Sequence, residues 1–267
     1  MGKSRTAGRE RERSMQTMTS CNSCDSAGCG TCRPGPLGDW SQVNADHARI
    51  LGALISEQHH ARGDTVFRAG AGNCGIYCIA EGIVGLRLLH ESGTSVLVDI
   101  AYPGDLIGTR AFLRNGRHRT SAEALSAVRL CRIPAAEARR LMHEHPALHQ
   151  RLVRVCLDSL DASQEAMLQA AAMPNRDRLF HLLSRLIGHC GTSDSAGGVQ
   201  AQLPISREDI AAMLGVRQET LSRLLKRLKQ EGVIDISGRH CQLLSLRRLS
   251  PGPPFADRRP ILVARRI

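Results

Sequence analysis

Four cysteines within twelve residues are the feature of the chain with the clearest chemical potential. Cys21, Cys24, Cys29 and Cys32 have the spacing C-x2-C-x4-C-x2-C. Thiolates are soft ligands that suit iron–sulfur or zinc chemistry, and this spacing alone offers the four ligands of a tetrahedral zinc site. The chain holds ten cysteines, and without an export signal they do not predict a disulfide framework. We therefore expect metal or redox chemistry here.

Residues 206–230 predict a helix-turn-helix. A first helix over Arg207–Leu214 follows the N-cap Ser206, and Asp209 lies three positions after that serine, as in a capping box. Gly215 makes the tight turn, and a second helix runs from about Arg217 to Gln230.

The outward face of the second helix carries side chains that can contact DNA. Arginine can donate two hydrogen bonds to guanine, and glutamate can accept a hydrogen bond from the amino group of cytosine. Lysine or serine can bind phosphates. The candidate contacts are Arg217, Glu219, Ser222, Arg223 and Lys226. After this helix, Val233–Ile236 and Cys241–Leu246 predict a two-stranded wing. The unit is therefore expected to be a winged helix that reads double-stranded DNA.

Residues 64–133 and 147–173 must position these sites, and their patterns differ. In the first range, short apolar runs broken by glycine predict a compact antiparallel barrel or roll. The second range has no Gly or Pro and predicts a coiled-coil seam. The seam residues are Val153, Cys156, Leu160, Ser163 and Met167. The polar Ser163 weakens the seam, and one long helix that packs on its own domain is the alternative.

Composition narrows the class of protein further. The 267 residues suffice for one large domain or two smaller ones, and no run reaches the ~18–20 apolar residues of a membrane helix. The net charge of +11 suits an anionic partner, although most of it lies in residues 1–20 and 247–267. Aromatic residues make up only 3%, which argues against stacking on single-stranded nucleic acid. We expect a cytoplasmic protein without a membrane span.

With these motifs the chain resembles the Crp/Fnr family of transcription regulators over roughly residues 39–249. The segment Val216–Leu225, with its Glu-x-x-Ser-Arg pattern, is similar to the Fnr-type recognition helix. The resemblance implies an α+β fold, with an N-terminal cyclic-nucleotide-binding-type β-roll, a long dimerisation helix and a C-terminal winged helix-turn-helix. It further implies a homodimer without catalytic activity that binds TTGAT/ATCAA half-sites, in which Glu219 and Arg223 meet the GA/TC pairs. RNA polymerase is the implied protein partner.

The expected organisation follows from the resemblance and from the local patterns. The segments are a disordered basic tail at 1–20, a cysteine loop plus sensor roll at 21–145, a dimerisation helix at 146–173, a winged-helix domain at 174–249 and a basic Pro/Arg tail at 250–267. Short helices are expected from Asp39 to about Ala61, and a flexible connection over Gly191–Gly198.

The resemblance also implies what the sensor holds. In Fnr-type oxygen sensors, three N-terminal cysteines and one cysteine of the roll bind a [4Fe–4S] cluster. Cys131 has the matching Cys-x-Ile-Pro context, and Cys21, Cys24 and Cys32 have a C-x2-C-x7-C spacing similar to Fnr-like proteins of α-proteobacteria. Cys29 is then surplus, or the alternative third ligand.

Other interpretations stay open at this stage. A local zinc site would leave Cys131 as a buried core thiol, and reversible thiol oxidation would need no metal. A Crp-type regulator would respond to a cyclic nucleotide or another small ligand, although Thr109 replaces the carboxylate of the family's Gly-Glu pair and only Arg119 remains for a phosphate. An iron–sulfur electron carrier is disfavoured by the winged helix. The remaining cysteines are expected in the core: Cys74, Cys78, Cys156, Cys190 and Cys241.

Overall fold

The computed structural model describes residues 55–91, 93–193 and 199–244. The strands in these ranges are β1 Ser56–His60, β2 Thr65–Phe67, β3 Gly75–Glu81, β4 Val84–Leu89, β5 Ser95–Ala101, β6 Leu106–Ile107, β7 Ser121–Ala124, β8 Val128–Pro134, β9 Thr192–Ser193, β10 Val199–Gln202, β11 Ile234–Ser237 and β12 His240–Leu243. The helices are α1 Thr109–Leu113, α2 Ala135–Glu144, α3 Pro146–Ala172, α4 Asn175–Cys190, α5 Arg207–Leu214 and α6 Gln218–Gln230.

The first eight strands form the predicted antiparallel roll. Two four-stranded sheets, in the orders β1-β8-β3-β6 and β2-β7-β4-β5, enclose a core between them. Alternation along β3 places Tyr77 and Ile79 in this core, together with Val84, Ala122 and Leu130 from other strands. The short runs between glycines thus become strands because each buries one face against the opposite sheet.

One expectation about this part of the chain is wrong. Ser56–His60 pairs with β8 as an edge strand instead of forming a helix, while residues 39–54 lie outside the described part. The sequence of β1 is polar and shows no alternation of apolar and polar residues, so only the pairing with β8 identifies this segment as a strand. The run Ala122–Ile133 is divided between β7 and β8, which belong to different sheets.

Helices α2 and α3 cover the outer face of the β3–β8 pair. Ile76 and Ile133 from this face meet Leu141, Leu148 and Leu152 in a separate apolar cluster. Pro146 occupies the first turn of α3, where its missing N–H costs no helical hydrogen bond. The N-terminal part of α3 is therefore anchored on the roll.

The last four strands and α4–α6 form the winged-helix unit, with sheet order β11-β12-β10-β9. The predicted connection over Gly191–Gly198 is wrong at its start, because Thr192–Ser193 pairs with β10. The fold class is confirmed: a cyclic-nucleotide-binding-type roll, a long helix and a winged helix-turn-helix follow one another.

The roll and the winged helix share one apolar cluster. Leu97 and Ile100 of the roll belong to the same buried group as Leu186 and Ile210 of the winged helix. Tyr102 of the roll stacks on His189 at the end of α4, with ring centroids 3.7 Å apart. The winged-helix unit is therefore held directly against the roll of the same chain.

Candidate nucleic-acid interface and cysteine site

The first helix of the helix-turn-helix has the bounds that the sequence predicts. The Ser206 hydroxyl accepts from the Asp209 N–H at 3.0 Å, and the Asp209 carboxylate accepts from the Ser206 N–H at 3.3 Å. This reciprocal capping box satisfies two of the N–H groups that a helix start leaves open. At the other end, Gly215 has φ of +67°, a left-handed conformation that glycine adopts without strain.

The second helix, α6, buries one side and leaves the predicted DNA-contacting side exposed. Leu221, Leu225 and Leu228 are buried in the winged-helix core, whereas Leu224 is only partly buried. All five candidate contacts lie on the surface: Arg217, Glu219, Ser222, Arg223 and Lys226. The residue Arg217 is the N-cap of the helix rather than its first turn. The exposed side thus offers hydrogen-bond donors and a carboxylate, which are groups that can pair with the edges of bases.

Arg227, beside this surface, is engaged within the protein. Its Nε donates to Glu231 at 2.9 Å, and Arg176 of α4 donates to the same carboxylate. The Arg176 and Arg227 hydrogen bonds hold the pKa of Glu231 below its usual range. Since Glu231 is the C-cap of α6, these contacts fix the end of the recognition helix against α4.

The long helix α3 carries an exposed apolar strip in the range of the predicted seam. Val153, Leu160 and Met167 are exposed, with 72% for Met167. Leu157 and Leu168, which the seam prediction missed, lie in the same strip at 54% and 61% exposure. The other two seam residues depart from this pattern: Cys156 is only half-buried, and Ser163 donates to the Ser159 carbonyl of its own helix at 2.8 Å.

Of the four predicted cluster ligands, the structure describes Cys131. It is buried in β8, with 6% exposure. The other predicted ligands, and the alternative Cys29, lie outside the described residues: Cys21, Cys24 and Cys32. Within the described ranges, no three His, Cys, Asp or Glu side chains are grouped as a metal site.

The strand pairing defines the surroundings of Cys131. On one side it faces Glu57 of β1, and on the other it faces Cys78 of β3. Cys131 therefore lies in the strand next to β1, the first strand of the described residues.

The remaining cysteines have different environments. Cys241 is buried in the winged helix, and burial raises its pKa to about 11. Burial also raises the pKa of Cys190 to about 11, so both thiols stay protonated near neutral pH. The expectation that Cys74 is a core thiol is wrong: it precedes β3 and is exposed.

Three rings pack together in the roll. The His118 ring stacks on Phe67 with centroids 3.9 Å apart, and Phe67 contacts Tyr77 at 5.7 Å. Thr109, which stands in place of the carboxylate, is buried, while Arg119 is exposed. At the position of the carboxylate in the family's Gly-Glu pair, the chain therefore presents the hydroxyl of a buried threonine.

Two domain families match the chain in sequence. Residues 57–145 match the cyclic nucleotide-binding domain, and residues 177–251 match the Crp-like helix-turn-helix domain. In the described ranges, no helix has the length and apolar character required to cross a membrane.

Individual proteins agree with these matches. The nitrogen fixation regulation protein FixK of Bradyrhizobium diazoefficiens is 30% identical over 212 residues, covering 78% of this chain and 86% of that protein. The anaerobic regulatory protein of Haemophilus influenzae is 30% identical over 191 residues, covering 70% and 72%. A CRP-family transcriptional regulator from Thermus thermophilus superposes with a TM-score of 0.60 at 26% identity, over 71% of this chain and 92% of that one.

A sensor-type roll that carries a helix-turn-helix defines a DNA-binding transcription regulator. The chain belongs to the Crp/Fnr family of such regulators. The relatives named above are regulators rather than enzymes.

Proposed function

We propose that this regulator is of the Fnr type: a homodimer that senses oxygen or redox state through a [4Fe–4S] cluster and binds a TTGAT/ATCAA palindrome. The proposed ligands are Cys21, Cys24, Cys32 and Cys131. The observation that carries the proposal is the burial of Cys131 in β8, directly opposite Glu57 of β1, which is the first strand of the described residues. The similarity to an anaerobic regulatory protein supports a signal of this kind.

The donor set fits such a cluster. Four thiolates are the usual ligands of a [4Fe–4S] centre. Burial of a ligand such as Cys131 limits the access of solvent to the centre and so tunes its reactivity. Cys21, Cys24, Cys32 and Cys131 would hold the centre, which would supply oxygen-sensitive redox chemistry there. Ile133, two residues after Cys131 in β8, packs against Leu148 and Leu152 at the N-terminal end of α3.

The exposed strip of α3 supports the dimer. A palindrome requires two recognition helices about 34 Å apart, which one chain cannot present. Val153, Leu157 and Leu160 continue along the helix to Met167 and Leu168 as an apolar surface. An exposed stripe at this spacing is typical of a helix that pairs with a second copy.

The test is metal analysis of protein purified without oxygen. We expect iron and sulfide in the parent, and their loss in Cys21→Ser, Cys24→Ser, Cys32→Ser and Cys131→Ser. Cys29→Ser should keep both, because Cys29 is surplus in the proposed ligand set. Cys190→Ser is the matched control for a substituted thiol away from the site, since Cys190 lies in the winged helix.

Two results would contradict the proposal. Full iron and sulfide content in Cys131→Ser would place the metal in the N-terminal segment alone. Zinc in place of iron and sulfide would indicate the structural tetrathiolate site that the C-x2-C-x4-C-x2-C spacing also allows.

A further inference from the structure

The strand register places Cys78 of β3 directly opposite Cys131 of β8. On the other edge of β3, the Ile79 N–H donates to the Asp105 carbonyl, and the Ile79 carbonyl accepts from Gly104. Successive residues of a strand direct their backbone polar groups to opposite edges, so those of Cys78 are directed to β8. The two cysteines therefore form a hydrogen-bonded cross-strand pair, for which Cα atoms lie about 5.5 Å apart.

This separation suits a covalent link between the two side chains. Opposite residues of an antiparallel pair have side chains on the same face. Disulfides in proteins most often join Cα atoms about 5.5–6 Å apart. The neighbouring pair on this face, Ile76 and Ile133, is buried under α2 and α3, so the backbone around the cysteines is held in register.

The two thiols differ in accessibility. Cys131 is buried, while Cys78 is half-buried. A solvent-borne oxidant therefore reaches Cys78 first, and Cys131 lies next to it as the second thiol. Cys74 differs from both, because it is exposed and lies before the start of β3, where its carbonyl accepts from the Ala135 N–H at 3.0 Å.

We propose that Cys78 and Cys131 form a redox-active dithiol that a peroxide oxidises to a disulfide. The Cys78 sulfur attacks the peroxide, an S–O bond forms, the O–O bond breaks and the first water leaves. The Cys131 sulfur then attacks Cys78, so that an S–S bond forms, the S–O bond breaks and a second water leaves. The two thiols lose two electrons and two protons in total, which reduce one hydrogen peroxide to two waters.

A consequence for the cluster rests on the proposed function. The Cys131 sulfur cannot ligate iron while it is bonded to Cys78. Peroxide exposure of the cluster-free protein would thus block its return to the cluster-bound form until a thiol reductant restores both thiols. Cys78 would then regulate the cluster site without being one of its ligands.

The experiment uses the full-length, cluster-free protein and hydrogen peroxide as the probe. After oxidation, thiols are alkylated in denaturant, the chain is digested and the peptides are analysed by mass spectrometry with and without reductant. We expect one linked peptide pair that joins Cys78 to Cys131 and separates on reduction. Cys74→Ser should keep this link, and Cys78→Ser should lose it.

Three results would overturn the dithiol. They are alkylation of both thiols after peroxide treatment, a link from Cys131 to a different cysteine in the parent, and sulfinic acid on Cys78 without any link. Because Cys78→Ser changes one atom on a half-buried side chain, thermal melting of this variant checks that it is folded.

Reloading with iron and sulfide separates this inference from the cluster proposal. After peroxide treatment, the parent should fail to take up iron until reductant is added, whereas Cys78→Ser should take it up directly. If the link forms but uptake is unchanged, the dithiol stands and Cys131 is not a ligand. If untreated protein takes up no iron, the cluster proposal fails, and the peptide result still decides the dithiol.

Discussion

Arg87 of the roll is joined to Asp209 of the helix-turn-helix by two hydrogen bonds of 2.8 and 3.2 Å. The two side chains are 122 positions apart in sequence. Arg87 also donates to Glu123 of the roll at 2.5 Å, and Asp209 is the capping-box residue of α5. One carboxylate thus supports both the start of the first DNA-unit helix and its attachment to the sensor.

Replacing Arg87 should loosen this attachment. We expect Arg87→Met to lower the free energy of unfolding by about 1–3 kcal/mol, because Asp209 keeps its charge and loses two charge-assisted hydrogen bonds. Hydrogen exchange should quicken in α5, at the Ile210 and Ala211 amides. Urea denaturation and exchange mass spectrometry measure the two effects.

Arg129→Met is the control for this prediction. Arg129 pairs with Glu81 at 2.6 Å, and both residues belong to the roll. Loss of this ion pair should therefore leave hydrogen exchange in α5 unchanged. Equal exchange in α5 for both variants would show that the Arg87 contact does not hold the helix.

The same contact predicts a pH dependence. Burial alone would raise the pKa of Asp209, but hydrogen bonds from Arg87 and Ser206 outweigh it, so the pKa lies below its ordinary 3.8. A carboxyl group with a lowered folded-state pKa stabilises the fold above that value, and the stabilisation is lost as the pH falls through the folded-state pKa. In Arg87→Met the Ser206 hydrogen bonds remain but those of Arg87 are gone, so the pKa of Asp209 should rise and this loss should shrink.

The stability difference between the parent and Arg87→Met should therefore be largest near neutral pH and decrease below about pH 4. Urea denaturation of both proteins across that range measures it. A difference that stays constant with pH would mean that Asp209 titrates alike in the two proteins.

Arg223 and Lys226 should differ in what they contribute to DNA binding. Arg223→Ala should cost ~1–3 kcal/mol of discrimination between the palindrome and altered half-sites, since it removes a fork onto guanine. Lys226→Ala should weaken binding to all DNA sequences alike, since it removes a phosphate contact. The slope of the logarithm of the binding constant against the logarithm of the salt concentration should fall in magnitude by about 1. Titrations at several salt concentrations separate the two. Equal weakening of specific and random DNA by Arg223→Ala would exclude base reading.

Leu160 should be essential for the dimer. It is 48% exposed in the middle of the apolar strip, and Leu160→Glu would place two carboxylates across the two-fold axis. We expect a monomer in sedimentation and no specific DNA binding, with iron and sulfide at the parent level. Because the strip is short, we expect a dimer of modest affinity. A few kcal/mol from the cluster site would then suffice to shift the equilibrium between monomer and dimer.

Arg154→Glu, at an exposed position beside the strip, is the matched control and should stay dimeric. A Leu160→Glu protein that also remains dimeric would move the interface away from α3.

Short-range patterns determined the DNA-reading unit. Ser206, Asp209 and Gly215 define the ends of α5 from sequence alone, because caps and left-handed glycines depend on neighbours within one helical turn. The exposed face of α6 follows from its 3.6-residue period in the same way, which places Arg223 on the surface. The roll was recognisable as short punctuated strands, but the partner of each strand was not.

The contacts that couple the two units were decided only by the tertiary structure. Cys78 and Cys131 meet because β3 pairs with β8, and Arg87 meets Asp209 because the roll and the winged helix share an apolar cluster. Strand register and domain docking are set by burial over the whole chain, and no local pattern encodes them. The sequence by itself identified a helix-turn-helix and predicted thiol chemistry; which cysteine faces which, and what holds the winged helix to the roll, required the fold.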